Sequence, residues 1–382
     1  MPSTRLRQDV LGSARRVVVK MGTQLLTASD GNLDLDYLAD IASQVATLRA
    51  SGREVTLVCS GAVGAGRSVL GLDRRPSDVA QLQAVAAAGQ PRLMYHIGQA
   101  FEAHDIHVAQ LLLTRSDFDD RLRFLNIRNC IAQLHRYRCL PIVNENDTVA
   151  VDEIRFGDND MLAALMCNAL RAEALVLLFT KDGLLDHDGN RVDLVEQIDD
   201  VEQLVRIDKS ALGTGGMSSK LAAARLTTTA GEIAVIANGR EPNILPRLFA
   251  GEPKLGTVFL PADRKLASRQ RWIGLTKRPD GFVTIDAGAA TAITQRGKSL
   301  LATGITGIRG QFEPGALVSI RSDDDDTHEI ARGMTNYSSD ELQLIIGKRS
   351  SQFEKLLGRR AFAEVIHRDN LVLRNVGPSA SA

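Results

Sequence analysis

"RRVVVKMGT", residues 15–23, places three valines in succession with no polar residue between them. A strand with one wet face would alternate, so this run reads as a strand covered on both sides. Similar runs recur: "EVTLVCS" (54–60), "HVAQLLLT" (107–114), "CLPIVNEN" (139–146), "ALVLLFT" (174–180) and "EIAVIAN" (232–238). Helical patterns separate them, over 35–52 (stopped by Gly52), 78–104, 123–137, 161–170 and 219–231. The second of these is expected to break near Gly89-Gln90-Pro91. Doubly covered strands alternating with helices predict an α/β fold, a three-layer α/β/α sandwich around a mostly parallel sheet.

After about residue 275 the pattern changes. "GFVTIDAGAATAI", "SLLATGITGIRGQF", "ALVSIRS" and "EIARGMTNYSSDEL" are short, Gly-punctuated and strand-like, which predicts a small, mostly β domain with one short helix. A chain of 382 residues also exceeds what one core usually serves. The expected division is a larger domain over 1–262, a linker over 263–279, a second domain over 280–358, and an extension and tail over 359–382 ending in "GPSASA", expected to be disordered.

Lys+Arg and Asp+Glu are equal at 46 each, so no global charge steers the chain to nucleic acid or to an anionic membrane. Residues 280–358 hold eight basic and eleven acidic side chains, a net of −3 that offers RNA no electrostatic footprint. "MPSTRLRQDVLGSARR" lacks the apolar core of a signal peptide, and no apolar stretch approaches the roughly 18 residues of a spanning helix. Cys59, Cys130, Cys139 and Cys167 are scattered without metal-type spacing and read as reduced thiols of a cytoplasmic protein. His104 and His107 have no third ligand in view, and "DDDD" (323–326) reads as a solvated loop.

In open parallel sheets ligands bind beyond the carboxyl ends of the strands. Here the first strand ends in Lys20-Met21-Gly22-Thr23, the second in Ser60-Gly61, and the fourth in Asn144-Glu145-Asn146-Asp147. A lysine at the tip of a buried strand reaches solvent or faces an anion, and Gly22 lets backbone N–H groups approach a phosphate. "GTGGMSSK" (213–220) precedes an Ala-rich helix, whose exposed N–H groups attract phosphate. Lys220 falls in that first turn, where the helix dipole disfavours a cation by roughly 0.3–1 kcal/mol unless an anion is bound. The spacing is not that of a Walker A loop.

Asp158-Asn159-Asp160 exceeds what one helix cap can use. The surplus carboxylate can orient cations or hold a metal through water. Asp147 and Asn159 offer acceptors to an ammonium group, while Ser60 and the N–H groups after it suit a carboxylate. Ammonium and carboxylate pockets facing a phosphate cradle with two lysines describe a kinase acting on an amino acid, working by position and electrostatics.

"VVVKMGT", "CSGAVGAGR", "PIVNENDTV", "FGDNDMLAAL" and "GTGGMSSK", in this order, resemble the motifs of the glutamate 5-kinases in the amino-acid kinase family. The C-terminal segment resembles the barrel-like PUA domain of bacterial members, so the likeness covers about residues 15–370. It implies ATP- and Mg²⁺-dependent phosphorylation of the γ-carboxylate of L-glutamate, the first step of proline synthesis, in the cytoplasm. Proline would inhibit, the assembly would be a homotetramer, and no nucleic acid or membrane would take part. The resemblance assigns Lys20 to the transferring phosphate and Ser60, Asp147 and Asn159 to glutamate. Asn144 and Glu145 fall in the same substrate loop. Thr214, Gly215, Gly216, Met217, Ser218, Ser219 and Lys220 would form the nucleotide loop, with Lys220 as the second phosphate-facing lysine. Asp158 and Asp160 would be the acidic pair, one of them orienting the lysines. Where the family usually has Thr-Asp against the nucleotide, this chain has Phe179-Thr180, followed by Lys181-Asp182, which implies altered base selectivity.

Two rivals remain on the sequence. A kinase of the same fold acting on acetylglutamate, aspartate or a nucleotide is disfavoured by the paired acidic-amide clusters and the C-terminal domain. An RNA-binding protein with a degenerate kinase domain is disfavoured by the intact lysines and the acidic second domain.

Overall fold

The computed structural model describes residues 2–28, 31–150, 159–201, 216–261, 273, 278–324, 328–359 and 362–373. The chain divides into two units, Met1–Lys265 and Leu266–Ala382. In chain order the first unit runs α1 (Pro2–Gly12), β1 (Arg16–Met21), α2 (Thr23–Leu26), α3 (Leu35–Ala50), β2 (Glu54–Cys59), α4 (Ala62–Leu70), α5 (Val79–Glu102), β3 (Val108–Leu113), α6 (Arg115–Asp119), α7 (Arg121–Arg136) and β4 (Leu140–Glu145). It continues with α8 (Asn159–Leu170), β5 (Ala174–Phe179), β6 (Leu194–Val195), α9 (Met217–Thr229), β7 (Ile233–Asn238), α10 (Ile244–Phe249) and β8 (Thr257–Phe259).

These strands form one eight-stranded sheet in the order β3-β4-β2-β1-β5-β7-β8-β6, parallel at every pairing except β7 with β8. The valine run lies near its middle: Val17 pairs with Val55 on one side and Ala174 on the other, and Val17, Val18 and Val19 are fully buried. Side-chain caps start several of the covering helices. The carboxylates of Asp34, Asp78 and Asp120 accept the backbone N–H of Tyr37, Gln81 and Arg123 at 2.9, 3.1 and 2.8 Å.

The expected break at Gly89-Gln90-Pro91 is absent: α5 runs unbroken for 24 residues with Pro91 inside it. Pro91 forgoes one helical hydrogen bond, but Gly89 marks a contact rather than a stop. A Cβ on Gly89 would sit 1.9 Å from the carbonyl oxygen of Ala62, and one on Gly66 would sit 1.8 Å from that of Val85. The backbones of α4 and α5 touch there, and this packing holds the helix across the proline.

The second unit carries β9 (Gly281–Ile285), α11 (Ala287–Thr294), β10 (Ile305–Arg309), β11 (Leu317–Ser322), β12 (Glu329–Met334), α12 (Ser339–Ile345), α13 (Phe353–Leu357) and β13 (Leu371–Leu373). Its five-stranded mixed sheet has the order β10-β9-β11-β12-β13. Tyr337 and Phe353 meet edge-to-face in its core, ring centroids 5.9 Å apart. Among its described residues there are three α-helices where one was expected. The run read as strand through residue 293 turns helical after Asp286, whose carboxylate accepts the N–H of Ala289 at 2.7 Å. Pairing of β13 with β12 carries this unit past residue 358. Most of the expected linker and the "GPSASA" tail lie outside the described residues. Among those described, no helix is long and apolar enough to cross a membrane.

Candidate active site

The carboxyl ends of β1, β2, β4 and β5 border a cavity of about 340 Å³. Lys20 comes to it from the end of β1, Ser60 from the turn after β2, and Asn144 from the end of β4. Gly61, at φ 105°, makes the sharp reversal that lets α4 start directly beneath the cavity. Asn159 enters from the start of α8 and Lys220 from the first turn of α9.

Asp160 lies under this cavity with 0% exposure. Its Oδ1 is 2.6 Å from Lys20 Nζ and its Oδ2 is 2.9 Å from Lys220 Nζ. The Ser219 hydroxyl lies 3.0 Å from the same Oδ2 and 2.9 Å from the Gly216 carbonyl oxygen. Residues 20, 160 and 220, remote in sequence, thus converge on one carboxylate, which offsets the unfavourable position of Lys220 at a helix start. The ring of Phe179 faces Lys220 with its centroid 5.2 Å from Nζ, within cation–π range. Asp158, Thr214 and Gly215 lie outside the described residues.

The amide groups beside the cavity are oriented by their neighbours. Asn159 spends both Nδ2 protons, on the Cys59 carbonyl oxygen at 2.5 Å and on Asn144 Oδ1 at 2.7 Å. Its own Oδ1 is therefore what it has left to offer. Asn144 Oδ1 also accepts the N–H of Glu145 at 2.9 Å, so the Asn144 side chain turns its NH₂ the other way. That Nδ2 and the Ser60 hydroxyl are buried with no hydrogen-bond partner among the described residues. Orphaned buried donors are costly, and two of them on the wall of one cavity mark where an acceptor belongs.

Burial pushes the Asp147 carboxyl up to about 6, against an opposing pull from Arg75. The buried Cys59 thiol is pushed up to about 12 by desolvation, which leaves it inert near neutral pH. Thr180 Oγ1 donates to Gln24 Oε1 at 3.2 Å on an exposed edge, and Met217 and Ser218 lie in the first turn of α9. The sequence reading missed Arg67 and Arg75, which also line the cavity. Arg67 closes the quoted "CSGAVGAGR" motif, whereas nothing around Arg75 set it apart from other surface arginines.

The amino acid kinase family matches residues 15–238 and the PUA domain family residues 281–357. A glutamate 5-kinase of Geobacter sulfurreducens is 45% identical over 375 residues, 96% of this chain and 100% of the relative. One from Chromohalobacter salexigens is 44% identical over 373 residues, 96% of this chain and 98% of its own. The chain belongs to the glutamate 5-kinases of the amino acid kinase family. Among solved structures, a carbamate kinase from Giardia lamblia bound to AMP-PNP aligns over 66% of this chain and 100% of its own, with a TM-score of 0.48 and 17% identity. In this glutamate 5-kinase family member the cavity, the lysine bridge and the oriented amides all fall within the stretch from Lys20 to Lys220 that the kinase family covers.

Proposed function

We propose that this protein transfers the γ-phosphoryl group of ATP to the γ-carboxylate of L-glutamate, giving L-glutamyl 5-phosphate and ADP, the first step of proline biosynthesis. The observation that carries the reading is the buried Lys20–Asp160–Lys220 bridge beside a cavity with orphaned donors on one wall and Asp147 on another. A γ-carboxylate oxygen attacks the γ-phosphorus, the bond to the β,γ-bridging oxygen breaks, and ADP leaves. The two ammonium groups stabilise charge on the moving phosphoryl group, and Asp160 keeps both aimed before substrate arrives. Asp147 and Asn159 Oδ1 take the substrate ammonium, and Ser60 Oγ and Asn144 Nδ2 take carboxylate oxygen. Glu145 shapes the same wall. The resemblance assigns residues 214–219 to the nucleotide and Asp158 to the acidic pair with Asp160.

Both oxygens of Asp160 face lysines, and the described residues hold no cluster of three metal-type ligands. That donor set fits Mg²⁺ carried in by the nucleotide phosphates and water, where it would neutralise phosphate charge. Proline also carries an ammonium and a carboxylate on one carbon, so it suits the same walls and is the inhibitor we expect. The family resemblance extends to a homotetramer.

ADP release with L-glutamate as sole acceptor, the acyl phosphate being trapped by hydroxylamine, tests the reaction. γ-Glutamyl hydroxamate is expected; its absence, with hydroxamate forming instead from aspartate, would overturn the assignment. Running the assay with ATP and GTP tests Phe179-Thr180, where weakened discrimination between the bases is expected.

The same assay has a pH signature. Asp147 is protonated below about pH 6 in the free enzyme and ionised above it. An ammonium ligand needs the ionised form. The kcat/KM for glutamate should therefore fall about tenfold per unit as pH drops below that value. Asp147→Ala should raise KM for glutamate, not for ATP, and flatten this limb; a profile unchanged in the variant would refute the role.

A further inference from the structure

We propose that Arg75, braced by Arg67, holds the α-carboxylate of the acceptor and makes the enzyme selective for substrates that carry one. The proposal rests on the reading of glutamate as acceptor. Both arginines line the cavity. Arg67, on α4, donates from Nη2 to the Asp73 carbonyl oxygen at 2.8 Å, which fastens the segment bearing Arg75 to the helix. Its Nε is buried and has no hydrogen-bond partner among the described residues. No carboxylate of the described residues lies within ion-pair distance of either arginine, although Arg75 acts on Asp147 through space.

This arrangement matches the chemistry of an α-amino acid. Ammonium and α-carboxylate share one carbon, so a site that takes the ammonium on Asp147 must meet the carboxylate immediately beside it. A cation in range of Asp147 but not paired with it is what that position requires. Arginine suits it better than lysine, because a planar guanidinium engages both carboxylate oxygens at once. The α-carboxylate is then held at the arginine side of the cavity, which leaves the γ-carboxylate for the lysines. An acceptor lacking the α-carboxylate leaves Arg75 without its partner and binds more weakly.

The test compares L-glutamate with L-isoglutamine, in which the α-carboxylate is an amide and the γ-carboxylate is intact. Hydroxamate formation is measured for the full-length wild type, Arg75→Gln and Arg75→Lys. Arg75 is exposed, so folding is not at issue. Arg75→Gln is expected to lower kcat/KM for glutamate about 10- to 100-fold, mostly through KM, as for loss of a charged hydrogen bond. The value for isoglutamine should stay within about twofold of wild type, and Arg75→Lys should recover part of the glutamate loss. An equal fall for both substrates, or an unchanged preference for glutamate, would overturn the clamp while leaving the kinase reading intact. A wild type that phosphorylates neither would remove that reading and the clamp with it.

Discussion

Asp160→Asn is expected to cut kcat by about 10³ or more and to destabilise the kinase unit in the same step. The carboxylate is completely buried and anchors two lysine ammonium groups that come from a strand end and a helix start. An asparagine keeps the shape but removes the charge, leaving two desolvated cations facing one another. Breaking a buried pair by removing one partner costs about 3–5 kcal/mol. Both lysines then lose their aim at the phosphoryl group. Lys220→Ala separates the two consequences. It removes one cation and leaves Asp160 paired with Lys20, so the fold should survive while kcat falls about 10²–10³. Single-turnover rates and urea midpoints for the two variants provide the check. A kcat for Asp160→Asn within tenfold of wild type would show that the bridge does not serve the chemistry.

Gly89→Ala is the second large effect. The new methyl would stand 1.9 Å from the Ala62 carbonyl oxygen and 2.4 Å from the Gly66 nitrogen, both backbone atoms with no rotamer to move. Overpacking of a core costs about 1–3 kcal/mol when side chains can yield, and here α4 and α5 must separate instead, so a loss above about 3 kcal/mol is expected. The first turn of α4 borders the cavity, so KM for glutamate should rise as well. Gly98, on the same helix, is the control. Its methyl would meet nothing closer than Val108 Cγ2 at 3.9 Å, and Gly98→Ala should stabilise by about 0.5–1 kcal/mol. Equal urea midpoints for the two alanine variants would refute the contact.

Much of the fold was legible because its signals are local. An unbroken apolar run such as Val17-Val18-Val19 reads as a doubly covered strand, and the helical pattern over 35–52 carries its own stop at Gly52. The failures were local rules overruled from outside. Gly89-Gln90-Pro91 reads as a break by propensity, but the contact with α4 holds the helix through it. The small residues after Asp286 read as strand until a side-chain cap turns them helical. Arg75 carried no local signal at all, because its place at the cavity depends on how α4 and its following segment pack.

By itself the sequence determined the parallel sheet, the edge where chemistry would gather, the two lysines and the family. The tertiary structure alone decided that Asp160 takes both ammonium groups, that Asn159 shows its carbonyl and Asn144 its amide, and that two arginines line the same cavity as Asp147. The division is physical. Hydrophobic period and capping are written in neighbouring residues, whereas the partner of a buried charge or amide is set by which distant segments folding brings within about 3 Å of it.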